Sequence, residues 1–269
     1  MKCQHCGEPL KPGAKYCGNC GAPVEGQNFE AAAALAEGGG MLIGSAARKA
    51  RLEADYSGQT IISPRAYNAI LVGTVLWGLL INAILCVTVG NVYRFINPWL
   101  FLLLYIVVAF IGIKVATGSD KPIISFLGYN LIVIPFGLVI STLVDTVGGV
   151  QSTVVTNAFI YTLLITVGML GASMAFPNLF SKLGGALFAC LLGAILCELI
   201  LLLLGRAQGL MDWFVAGLFS LYIGYDIHRS QQYAMTVDNA VDCALDLYLD
   251  IANLFVRLLR IMARSKQRD

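Results

Sequence analysis

From residue 67 onward the chain alternates long apolar runs with short polar breaks. Seven runs stand out, at about residues 67–89, 97–116, 122–144, 153–175, 182–204, 210–227 and 239–261. Most are near the roughly 20 residues that a helix needs to cross a bilayer. The breaks fall on helix-terminating residues: Gly90-Asn91, Asn97-Pro98, Gly118 to Pro122, Gly148-Gly149, Pro177-Asn178 and Gly205 to Gly209. Pro135 lies inside the third run, where it removes a backbone donor and predicts a packing kink. The pattern predicts an all-α membrane protein, a seven-transmembrane-helix bundle over residues 67–262 with a basic tail at 263–269.

The last two runs differ from the others by carrying charge. Leu210 to Ile227 holds a late carboxylate, Asp226. In Asn239 to Met262, the residues Asp242, Asp246, Asp250, Asn253 and Arg257 recur at spacings of three and four, which puts them on one stripe of a helix. A charge near the bilayer centre costs at least about 2.5 kcal/mol, so the stripe is predicted to face a bundle interior, a partner or water. Asp226 sits at the end of its run and Asp250 about 11 residues into the next, roughly 16 Å along a helix. They meet if the sixth helix continues past Ile227 or the seventh tilts. Two carboxylates in a low-dielectric site resist double ionisation, so a meeting pair would titrate as a unit and serve as a proton-sensitive latch. The alternative is an interfacial cap at Asp226, with Asp250 paired to Arg257 or Asn253.

Asp242 and Asp246 lie nearer the mouth and suit a wet vestibule. Glu198 is a lone carboxylate in the fifth run, open to two readings: a receiver of cations entering from outside, or a side chain snorkelling to the interface. Lys114, late in the second run, reads as a snorkelling anchor.

Composition agrees with the pattern: 58% hydrophobic and 13% charged residues, with a mean hydropathy of +0.75, are those of an integral membrane protein. A net charge of +2 with scattered basic residues argues against a nucleic-acid partner. Cys86, Cys190, Cys197 and Cys243 are isolated in apolar runs and read as small hydrophobes.

Residues 1–24 are a different object. Cys3-x-x-Cys6 and Cys17-x-x-Cys20 are each followed by Gly and, two residues on, by Pro, so CQHCGEP and CGNCGAP form an internal repeat. Two such knuckles present four thiolates to one tetrahedral ion, and a unit this small has no core without it. Structural zinc is expected, as in the short ribbons that serve protein contacts, with no open position for catalysis. Residues 25–66 turn to Ala, Gly and charge around Gly38-Gly39-Gly40 and read as a flexible tether with a short charged helix. No cleavable signal peptide is expected ahead of the first run.

Lysine and arginine counts place the N-terminus and the ribbon in the cytoplasm of a cell-membrane protein. Lys114, Lys121, Lys182 and Arg229 then fall inside, and Arg94 and Arg206 outside. Arg260, Arg264, Lys266 and Arg268 break the rule, because seven spans carry them outward.

The runs LFSLYIGYD (218–226) and LYLDIANLFVRLLRI (247–261) resemble the last two helices of the Bax-inhibitor family, the transmembrane Bax inhibitor motif proteins. The resemblance implies a seven-helix bundle in which Asp226 and Asp250 form the aspartate pair of a cation leak channel for calcium or protons. Asp246, Glu198 and Lys114 would then lie along an ion pathway. It also implies a basic residue near Lys114 that engages the aspartates, while the acidic residue of the family's second helix has no match here. A second reading is a membrane scaffold that regulates other membrane proteins or a membrane protease through its zinc ribbon. A third is an intramembrane aspartyl protease, favoured by Tyr225-Asp226 but opposed by the absence of Gly-x-Gly before Asp250. The expectation is a non-enzymatic protein.

Overall fold

Helix starts follow from local sequence. The computed structural model describes residues 60–118, 121–205 and 209–266, and among them seven long helices and no strand. They are α1 (Pro64–Thr88), α2 (Pro98–Thr117), α3 (Pro122–Thr146), α4 (Thr153–Ala175), α5 (Pro177–Leu203), α6 (Gly209–Ser230) and α7 (Val237–Lys266), with a short 3-10 turn at Val92–Arg94. Four begin with proline, whose fixed φ suits a first turn and whose missing N–H is not needed there. Ser63, Asn97 and Ser152 cap α1, α2 and α4, their side chains accepting from the amides of Ala66, Trp99 and Val154 at 3.3, 2.9 and 3.3 Å. The same rule corrects one predicted boundary. Pro177 opens α5 rather than closing a loop, so the fifth helix starts earlier than residue 182. Gly148 and Gly149, at φ 103° and 79°, close the turn between α3 and α4 in a region other residues avoid.

Six helices, α1 to α6, are long and apolar enough to cross a membrane. The seventh is organised differently. α7 has 30 residues, about 45 Å of helix, and α1, α3, α4 and α6 pack around it. Its charged stripe is therefore turned inward, and most of its residues as far as Leu259 are buried. The apolar faces of the surrounding helices point outward, with Leu103 and Phe110 on α2, Phe159 and Leu164 on α4, and Leu196 and Leu199 on α5 all exposed. α2 stands outside this ring and packs on α3, while α5 packs on α6.

Close helix approaches depend on missing side chains. A Cβ added to Gly128 on α3 would lie 2.7 Å from both Ala116 Cα and Gly112 O of α2, backbone atoms that cannot move aside. Gly128→Ala should therefore lower stability by about 1–3 kcal/mol through overpacking. By contrast, Gly168 on α4 has open space within 4 Å, so Gly168→Ala should leave stability unchanged or raise it by up to about 1 kcal/mol through helix propensity. Thermal unfolding of the two variants in detergent decides this, and equal midpoints would refute it.

Candidate functional site

α6 does not stop at Ile227. It runs on to Ser230, and this extra turn lays Asp226 against α7. Asp226 and Asp250 are 8% and 5% exposed, and their carboxyls lie close enough to interact. An ionised carboxylate only accepts hydrogen bonds, so two carboxyls can share one only when one of them holds a proton. The alternative partners of Asp250 are occupied elsewhere. Asn253 Nδ2 donates to the Leu249 carbonyl at 2.8 Å, and Arg257 is bound at the other end of the bundle.

The counter-charge comes from α6 itself. Arg229 Nη1 lies 3.2 Å from Asp226 Oδ1, and Nη2 donates to Asp246 Oδ2 at 2.9 Å. The guanidinium sits between the rings of Tyr225 and Tyr233, 5.4 and 5.5 Å from their centroids, a placement that favours the cation. One buried arginine thus ties Asp226 on α6 to Asp246 on α7 beside the carboxyl pair. Sequence reasoning counted Arg229 only as a topology marker; its position three residues after Asp226, one helical turn on, was the available signal. Lys114, the basic residue considered for this role, is exposed on α2 and forms no ion pair among the described residues.

The α6–α7 connection is held in place from both sides. The Tyr67 hydroxyl of α1 donates to the Ser230 carbonyl at 3.0 Å, and the Ile62 amide donates to the Met235 carbonyl at 2.8 Å. Asn239 Nδ2 donates to the Ala234 carbonyl at 2.8 Å. Further along the stripe, Asp238 accepts from the Ser125 hydroxyl of α3 at 2.6 Å, and Asp242 is buried. In mid-bundle, Asn82 Nδ2 donates to the Tyr248 hydroxyl at 2.9 Å, while that hydroxyl faces Asn82 Oδ1 at 3.1 Å.

A second charged cluster closes the opposite end. Glu198 neither stands alone nor snorkels. It forms a forked ion pair with Arg257, which also donates to Asp212 Oδ1 at 3.0 Å. Asp212, in the first turn of α6, is fully buried, and its Oδ2 lies 2.6 Å from Arg264 Nη1. Arg260 approaches Asp212 only to 4.0 Å. These contacts give partners to the basic end of α7, which sequence reasoning found anomalous. Asp212 itself was missed, although Arg257, Arg260 and Arg264 one and two turns apart were a cue to a buried anion.

Cys3, Cys6, Cys17 and Cys20 lie outside the described residues. Among the described residues, no group of three or more His, Cys, Asp or Glu side chains is arranged to hold a metal ion. Four thiolates at paired Cys-x-x-Cys spacing are the donor set that zinc selects.

The architecture is that of a multi-pass all-helical membrane protein with charged groups enclosed by its last helices. Comparison with known proteins agrees. Residues 61–268 match the family model for the inhibitor of apoptosis-promoting Bax1, and residues 2–24 match a zinc-ribbon domain. The chain belongs to the Bax-inhibitor family. It is 36% identical over 94 residues to an uncharacterized protein of Helicobacter pylori, covering 34% of this chain and 40% of that protein. It is 34% identical over 112 residues to protein lifeguard 4 of Mus musculus (40% and 46% covered) and 32% identical over 117 residues to a Golgi anti-apoptotic protein of vaccinia virus (43% and 49% covered). The matched segments span less than half the length of these relatives.

Proposed function

We propose that the protein is a pH-sensitive cation leak channel for calcium or protons, gated by Asp226 and Asp250. Two buried aspartates, one on each of the last two helices and near enough to interact, carry this reading. With a shared proton the pair joins α6 to α7. Without it, two adjacent negative charges repel and favour separation, and Asp246 would offer the passing cation its next carboxylate. Glu198, engaged with Arg257, belongs to a barrier at the far end, and Lys114 takes no part. No catalytic role is assigned to these groups. The test is calcium entry into vesicles that hold the purified chain and a calcium indicator. Entry that increases from about pH 5 to 8, the range in which a tuned carboxyl titrates, supports the channel; no entry at any pH overturns it.

The Cys-x-x-Cys head at residues 2–24 favours a second reading, a scaffold that recruits a protein partner through its ribbon. A pore has no need of such a module. Metal analysis of the purified chain should find one zinc per chain, lost in Cys3→Ser with Cys20→Ser, while the unfolding midpoint of the bundle stays unchanged. Zinc well below one per chain in the wild type would remove the ribbon.

In a cell membrane with a cytoplasmic N-terminus, seven crossings put the α6–α7 connection inside and the end of α7 outside. Impermeant labelling of single cysteines should reach position 149 from outside and position 232 from inside. Labelling of position 266 from inside would show that α7 enters without crossing.

A further inference from the structure

Among the described residues, the charges at the Asp212 end do not balance. Two carboxylates, Glu198 and Asp212, meet three arginines on one side of α7, at positions 257, 260 and 264. The carboxylates are buried or nearly so, and their short contacts go to Arg257 and Arg264. Arg257 takes both oxygens of Glu198 and one of Asp212, and Arg264 takes the other oxygen of Asp212. Among the described residues Arg260 is left with a single charged contact, at 4.0 Å, and its side chain is 38% exposed; that of Arg264 is 39% exposed. Among the described residues the site thus carries one surplus positive charge, on side chains that are partly exposed.

Its surroundings are those of a membrane interface. Asp212 lies in the first turn of α6, beside Trp213 at 62% and Leu210 at 88% exposure, and Leu203 and Leu204 at the end of α5 are 78% and 66% exposed. An aromatic ring with a polar edge among lipid-facing leucines is typical of headgroup depth. Guanidinium groups there meet phosphate at the geometry they bind best, two parallel N–H donors to two oxygens.

We propose that Arg260 and Arg264 hold the phosphate of an anionic phospholipid at the α5–α6–α7 end of the bundle. The buried carboxylates fix the arginines from within, and the lipid supplies a further anion from without. This site is separate from the proposed Asp226–Asp250 gate, and its test does not need ion flux.

The experiment is native mass spectrometry of the full chain with phosphatidylglycerol or phosphatidylcholine titrated into detergent. One phosphatidylglycerol should remain bound under conditions that strip phosphatidylcholine. Arg260→Gln should weaken retention about fivefold to tenfold, the effect of one arginine at an anionic membrane surface. Arg260→Lys should keep most of it. Arg94→Gln, which removes another surface arginine in an ion pair with Asp145, should change nothing. Thermal unfolding of each variant without lipid shows whether the bundle is intact; Arg260 is half-exposed, so Arg260→Gln should fold. Equal retention of the two lipids, or of phosphatidylglycerol by wild type and a folded Arg260→Gln, overturns the proposal. Displacement of phosphatidylglycerol by millimolar inorganic phosphate would assign the arginines to a free anion and overturn the lipid.

Discussion

Arg257→Ala should be among the most damaging single substitutions in the bundle. The guanidinium is the common partner of Glu198 and Asp212, and its side chain is 13% exposed. Its removal leaves Asp212, itself fully buried, with Arg264 as its one remaining close counter-charge among the described residues. Breaking a buried ion pair on one side costs about 3–5 kcal/mol, because the other charge stays desolvated. The cost should shrink when the anion is removed as well. Groups in one network couple, so Arg257→Met with Glu198→Gln should be less harmful than the sum of the single changes by about 0.5–3 kcal/mol. Unfolding midpoints of the four proteins in one detergent close the cycle. Additive losses would mean that Glu198 and Arg257 do not interact. The position also matters for architecture, since α5 packs on α6 and reaches α7 through this ion pair.

Asp226→Asn and Asp250→Asn should each flatten the pH dependence of calcium entry. The sign follows from the shared proton. At low pH the proton joins the carboxyls, α6 stays on α7 and entry is low; as pH rises the proton leaves, the charges repel and entry increases. Each factor of ten in the open-to-closed ratio corresponds to about 1.4 kcal/mol of differential stabilisation. An amide cannot supply the second charge, so either substitution removes the repulsion. Asp242→Asn, two turns from Asp250, should keep the dependence. Arg229→Gln tests the counter-charge. The charged groups around the pair are Arg229 on α6 and Asp246 on α7, with the rings of Tyr225 on α6 and Tyr233 on the connection against the guanidinium. Arg229 is the cation in contact with Asp226. Without it the pair should hold its proton to higher pH, moving the midpoint of entry upward, whereas Arg229→Lys should move it less. A midpoint unchanged in Arg229→Gln would reduce the arginine to a packing role.

Much of this molecule is settled locally. Long apolar runs broken at Gly and Pro determine seven helices, because a run of about 20 apolar residues has its backbone bonds satisfied internally only as a helix. The stripe Asp242, Asp246, Asp250 and Arg257 determines that α7 must be enclosed, since its charges cannot face lipid. The paired Cys-x-x-Cys repeat determines a zinc-type donor set. Which charges meet depends on packing over long separations. Asp226 reaches Asp250 because α6 runs one turn further and α7 lies inside the ring; Glu198 and Asp212 reach Arg257 from 59 and 45 residues away. Spacing along a helix fixes which residues share a face, but not which partner that face meets. Arg260, Arg264 and Lys266 therefore looked misplaced by the charge rule of loops, until packing set a buried carboxylate beside two of them.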